Sequence, residues 1–105
     1  MSDYTYIPVA NEIQYREVDK ELTEIYKAKN ADYGDSFNKS MDKYGFIAYL
    51  VRANDKLERL EQLHQNAAQV KDETILDTLM DLCNYSKMAI MWLKRGRGNA
   101  QATRK

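Results

Sequence analysis

Apolar side chains return every three or four residues along most of this chain, and little interrupts the repeat: its 105 residues contain one proline and four glycines. That spacing lines side chains along one face of an α-helix. Heavy use of Ala, Leu, Glu, Lys, Gln and Met favours the same state. The chain reads as all-α and as one domain, with three main helices and a short helical turn. The first helix is expected from about Asn11, its N-cap, to Lys29, with Tyr15, Val18, Leu22, Ile25 and Lys29 on one face. Asn, Asp and Gly cluster over residues 30–36 and are expected to end it. A helical turn over Phe37–Lys43 then closes at Tyr44–Gly45.

The second helix is expected over Phe46–Gln65, with Leu50, Ala53, Leu57, Leu60 and His64 as its apolar face. After a connector, Asp72 caps a third helix that runs to about Arg95 and stops at Gly96 and Gly98. Its apolar face is Ile75, Leu79, Leu82, Ile90 and Leu93, flanked by Leu76 and Cys83. The layout is thus an N-terminal extension over residues 1–10, a helical domain over 11–95 and a basic tail over 96–105.

Several classes are disfavoured. No run of about 18 apolar residues offers a membrane span, and residues 1–10 do not read as a signal peptide. Cys83, the only cysteine, has no internal disulfide partner, which fits a reducing, cytoplasmic location, and it is expected to pack as a small buried hydrophobe. A domain this small buries only about 60% of its unfolded surface. A second copy would bury more, so a helical homo-oligomer is expected, most simply a dimer.

The net charge of zero conceals an asymmetry. Residues 1–93 hold 16 acidic and 11 basic residues, leaving −5, while Lys94, Arg95, Arg97, Arg104 and Lys105 follow with no acid among them. That tail is either a solvated end or a weak electrostatic contact for phosphate or nucleic acid.

The third helix carries the most informative pattern. Glu73, Asp77 and Asp81 spread over roughly 80° of its surface, with Asn84 in the same sector. Like charges four residues apart cost roughly 0.2–0.5 kcal/mol per pair. No residue three or four positions from any of the three acids is basic. The ladder is either a solvated acidic face, with Glu73 favoured by the helix dipole, or a site for a divalent cation on hard carboxylate oxygens.

The second helix carries Arg52, Asp55, Lys56, Glu58 and Arg59. Asp55 is spaced to pair with Arg52 and Arg59, either as a surface ion cluster or as part of a mixed site in which guanidinium groups take phosphate oxygens. In the loop that follows the first helix, Asp32 could accept a hydrogen bond from a base and Tyr33 could stack on one. A turn with a packed tyrosine explains the same residues.

Three motifs in order, Lys29-x-x-Asp32-Tyr33-Gly34, Arg52-x-x-Asp55-Lys56-x-x-Arg59 and Glu73-x-x-x-Asp77-Thr78-x-x-Asp81-Leu82-x-x-Tyr85, resemble a nucleotide-modification-associated domain common in bacteriophages. That domain is related to the MazG-like all-α nucleoside triphosphate pyrophosphatases. The resemblance spans about Lys29 to Leu93. It implies a MazG-like helical bundle completed by oligomerisation, and hydrolysis of nucleoside triphosphates to monophosphate and pyrophosphate with Mg²⁺, or alternatively Mn²⁺. A phage-encoded protein would act in the host cytoplasm.

On this reading Asp55, Glu73 and Asp77 are the metal ligands, and Glu58 or Asp81 takes the proton of the attacking water. Lys29, Arg52, Lys56 and Arg59 bind phosphates, and Asp32, Tyr33, Asn84 and Tyr85 contact base or sugar. The related enzymes show Glu-x-x-Asp where this chain has the four-residue steps Glu73–Asp77–Asp81. The alternatives are a non-catalytic nucleotide-binding accessory module and a plain helical interaction protein.

Overall fold

The computed structural model describes the backbone of residues 8–33, 35–66 and 72–104, and the side chains of residues 11–30, 35–66 and 75–95. The described chain is all helical: α1 (Pro8–Tyr33), α2 (Ser36–Tyr44), α3 (Ile47–Gln65) and α4 (Asp72–Arg104). The helical turn expected around Phe37 is a nine-residue helix. No described helix is long and apolar enough to cross a membrane. Two compact units emerge, Met1–Gly34, which holds α1, and Asp35–Lys105, which holds α2 to α4.

Three helix ends differ from expectation. α1 begins at Pro8, so Asn11, read as its N-cap, lies within the first turn; proline's fixed φ suits the first helical position. α1 continues through Asn30, Ala31, Asp32 and Tyr33. Asn and Asp are only mildly unfavourable inside a helix, so they do not end one that is already propagating. Asp35, at φ −113° and ψ 43°, has left helical geometry. α4 likewise runs through Gly96 and Gly98 to Arg104. A glycine costs a helix about 1 kcal/mol relative to alanine, too little to stop a helix that is already propagating.

Gly45 has the positive φ that ends a helix. At φ 80° and ψ −164° it joins α2 to α3. Its N–H donates to the Met41 carbonyl at 2.8 Å, and its own carbonyl accepts from the Ala48 N–H at 3.0 Å. A Cβ there would meet no atom within 4 Å, so glycine is required by the backbone conformation and not by crowding.

α3 and α4 form an antiparallel hairpin. Lys56 meets Asp81, and Arg52, one turn earlier in α3, meets Tyr85, one turn later in α4. The Tyr49 hydroxyl and Ser86 Oγ are hydrogen-bonded at 2.7 Å in the same antiparallel sense. α2 docks on the hairpin through Phe37 and Met41, which bury against Ala89 and pack with Ala48, Tyr49, Tyr85, Met88 and Trp92. The Trp92 indole donates to Asp42 Oδ1 at 2.9 Å, tying α4 to α2.

This core is not built on the leucine faces the periodicity suggests. Leu50 and Leu57 of α3, and Leu79 and Ile90 of α4, are exposed, as are Cys83 and His64. The buried positions are Ala53 in α3 and Thr78, Met80, Asn84 and Ala89 in α4. α4 carries apolar residues on more than one face, so its period alone does not say which face packs. Small residues and tyrosines face the neighbouring helices instead. Cys83 lies about 200° around α4 from Tyr85, on the opposite side from the core contact, which is why the buried packing expected of its thiol does not occur.

Candidate functional site

Arg52 and Lys56 stand one turn apart on α3, and Asp81 and Tyr85 one turn apart on α4. Four-residue spacing keeps each pair on one face, and the antiparallel packing then matches them across the helices. Lys56 Nζ lies 3.3 Å from Asp81 Oδ2, with side chains 25% and 21% exposed. The Arg52 guanidinium sits over the Tyr85 ring at 5.8 Å, within cation–π range. Tyr85 is steadied from its other neighbour, Phe37, at 5.5 Å between centroids and 49° between planes. α2 therefore positions the ring on which Arg52 rests.

The acidic ladder has no basic residue at three- or four-residue spacing in its own helix, but α3 supplies a counter-charge: Lys56 pairs with Asp81. A search at three- and four-residue spacing cannot find a partner 25 residues away. The intrahelical cluster expected around Asp55 does not form. Among the described residues Asp55 makes no ion pair with Arg52 or Arg59; its side chain is exposed, where such pairs gain little, and Arg52 is engaged by Tyr85.

The other expected site residues fall as follows. Asp77, Glu58 and Arg59 are exposed, and Glu58 Oε2 accepts from Asn54 Nδ2 at 3.2 Å. Asn84 is buried, at 7% exposure. Lys29 is exposed near the end of α1, in the first compact unit. The side chains of Asp32, Tyr33 and Glu73 lie outside the described residues. Among the described residues no three His, Cys, Asp or Glu gather where they could hold a metal, so the described carboxylates alone do not form an all-protein cage. Mg²⁺ seldom uses one. It is commonly held by one or two carboxylates together with substrate phosphates, and Asp77 and Asp81, on one sector of α4, suit that smaller role.

The residues not anticipated from sequence are the supports: Phe37 against Tyr85, and the Tyr49–Ser86 hydroxyl pair. No local spacing marks them, because each contact crosses between helices. The resulting strip places two cationic donors beside a carboxylate, with an aromatic ring between α2 and α3. Chemically this suits an anion with several oxygens, such as a phosphate chain.

Residues 29–93 match the family described as nucleotide modification associated domain 1. The span includes α2, α3 and the part of α4 that carries Asp77, Asp81 and Tyr85. No curated protein and no solved structure matches the chain.

Proposed function

Because the chain belongs to the nucleotide modification associated domain 1 family, we propose that it is a Mg²⁺-dependent, MazG-like pyrophosphohydrolase that converts nucleoside or deoxynucleoside triphosphates to monophosphate and pyrophosphate. The observation that carries this reading is the 3.3 Å contact of Lys56 with Asp81, one turn from Arg52 on Tyr85. It sets two cationic side chains beside the acidic sector of α4, an arrangement that suits a phosphate chain.

In this reading Lys56 exchanges Asp81 for a phosphate oxygen when nucleotide binds, which releases the Asp81 carboxylate. Asp81 or Glu58 then takes the proton of the attacking water. Arg52, with Arg59, holds the remaining phosphate oxygens, and Tyr85 and Asn84 contact base or sugar. Asp77, with Asp55 and Glu73, would hold Mg²⁺ or Mn²⁺. The bound ion supplies Lewis-acid polarisation of the phosphoryl oxygens. The setting is phage nucleotide metabolism or DNA modification, in the host cytoplasm, where a single unpaired cysteine is at home.

The test is pyrophosphate release from a panel of ordinary and modified dNTPs by the folded protein with Mg²⁺. Turnover that Lys56→Met abolishes supports the reading. No turnover on any member counts against catalysis.

A second reading, a non-catalytic nucleotide-binding accessory module, is favoured by the scattered placement of Asp55, Glu58 and Asp77, none of which joins a three-carboxylate cluster among the described residues. Calorimetry separates the two, since nucleotide binding without turnover supports the accessory role. Absence of nucleotide binding removes both and leaves a helical interaction protein.

A further inference from the structure

We propose that the C-terminal end of α4 binds duplex DNA along its phosphate backbone, without reading sequence, through Lys94, Arg95, Arg97 and Arg104.

Charge along the chain is the first ground. All 16 acidic residues lie within residues 1–81, while residues 82–105 hold six basic residues and no acid. A polyanion therefore meets least opposition at this end. The helix then arranges the charges. α4 continues past Gly96 and Gly98 to Arg104, so the basic positions are fixed around one axis. At about 100° per residue, positions 94, 97 and 104 fall within roughly 80° of one another. Position 101, between them, is Gln101, whose residue type also donates to phosphate oxygens. The stripe lies about 120–160° around α4 from the sector of Asp81, Tyr85 and Trp92, which meets α2 and α3. Lys94 and Arg95 are both exposed. They stand about 100° apart, so cations flank the helix on two sides.

This end also outruns its neighbours. The register set by Lys56–Asp81 and Arg52–Tyr85 puts Ile47, the first residue of α3, level with Ile90. α2 meets α4 where Asp42 accepts from Trp92, and it ends at Tyr44. From Trp92 to Arg104 α4 runs about 18 Å farther.

Three features select duplex DNA as the occupant. A helix about 10–12 Å across matches the major groove of B-form DNA, about 12 Å wide, whereas the major groove of A-form RNA is deep and narrow. Residues 94–105 contain no aromatic residue, so nothing there stacks on the bases of a single strand. They also contain no Leu, Ile, Val or Met, and so lack the apolar face with which an amphipathic helix enters a lipid surface. Concentrated positive charge without either feature suits a duplex backbone. The inference does not depend on the nucleotide reading, since it uses a different sector and a different stretch of α4.

The experiment is fluorescence anisotropy of a labelled duplex of about 20 base pairs, titrated with the full chain at about 50 mM salt and with no nucleotide present. Four phosphate contacts predict a slope of log K against log salt of about −3.6, hence a loss of about 100-fold between 50 and 200 mM. Lys94→Gln, Arg97→Gln and Arg104→Gln combined should weaken binding at least ~10-fold and bring the slope to about −1. Removing three exposed cations elsewhere, with Lys20→Gln, Lys27→Gln and Lys43→Gln, should leave affinity within about 2-fold. Absence of duplex binding at the lower salt overturns the proposal, as does a slope shallower than about −1 for the unsubstituted chain. Equal losses in the two triple variants also overturn it, because overall charge and not the end of α4 would then govern binding. So does tighter binding to single-stranded DNA, to duplex RNA or to vesicles containing phosphatidylserine. The salt slope is read on the unsubstituted chain, so a variant that fails to fold does not blunt the test.

Discussion

Lys56 and Asp81 sit 25 residues apart in the chain and 3.3 Å apart in the fold, so one contact fixes the register of the α3–α4 hairpin and also brings a cation to the acidic sector of α4. Both side chains are about three-quarters buried, which leaves them less screened than a surface pair. A double-mutant cycle with Lys56→Met and Asp81→Asn should give a coupling of about 1 kcal/mol by chemical denaturation. A coupling indistinguishable from zero would mean that the contact contributes nothing to the register.

Arg52 lies over the Tyr85 ring, a geometry that rewards a planar guanidinium. Arg52→Lys should therefore behave as a disruptive change, and Tyr85→Leu should cost about as much nucleotide affinity as Arg52→Lys does. Titration calorimetry with a dNTP and Mg²⁺ measures both. If Arg52→Lys binds like the parent while Arg52→Met does not, charge alone is at work and the stacking is incidental.

Met41 is fully buried, with 0% exposure, in the cluster that docks α2. Met41→Ala should cost about 2–5 kcal/mol of stability. Thermal melting followed by circular dichroism checks this, and a loss below about 1 kcal/mol would show that α2 contributes little to the cooperative core.

Gly45 combines φ 80° with ψ −164°, a region essentially reserved for glycine, where other residues pay about 1–3 kcal/mol. Gly45→Ala should destabilise by that amount even though its Cβ has open space. A neutral result would mean that the α2–α3 junction relaxes to another turn.

The Tyr49 hydroxyl bonds Ser86 at 2.7 Å in a partly buried setting. Tyr49→Phe should cost about 1 kcal/mol, measured by urea denaturation, with no change in the slope of the transition.

The all-α class, a short helical segment after Phe37 and the break at Gly45 were legible in the sequence, because periodicity, composition and turn chemistry are local signals. What packs against what was not. Leu79, Cys83 and Ile90 keep helical spacing as well as Tyr85, Ala89 and Trp92 do, and it is Phe37 and Met41, more than 35 residues earlier in the chain, that the second set packs against. The site divides in the same way. The acids of α4 and the cations of α3 stand out by spacing, but the Lys56–Asp81 match and the platform under Arg52 arise only when the helices meet. Asp55 shows the converse: spacing offers it two arginines, and exposure to water removes the incentive to hold either.

The Trp92–Asp42 hydrogen bond gives the protein an optical gauge of its own. Trp92 is the only tryptophan, and its indole touches α2 while its backbone belongs to α4. Intrinsic emission therefore reports the seating of one short helix, whereas far-ultraviolet ellipticity reports helix content along the whole chain. On titration with denaturant or nucleotide, any separation between the two signals would time the release of α2, and with it the loosening of the tyrosine beneath Arg52, independently of the melting of the longer helices.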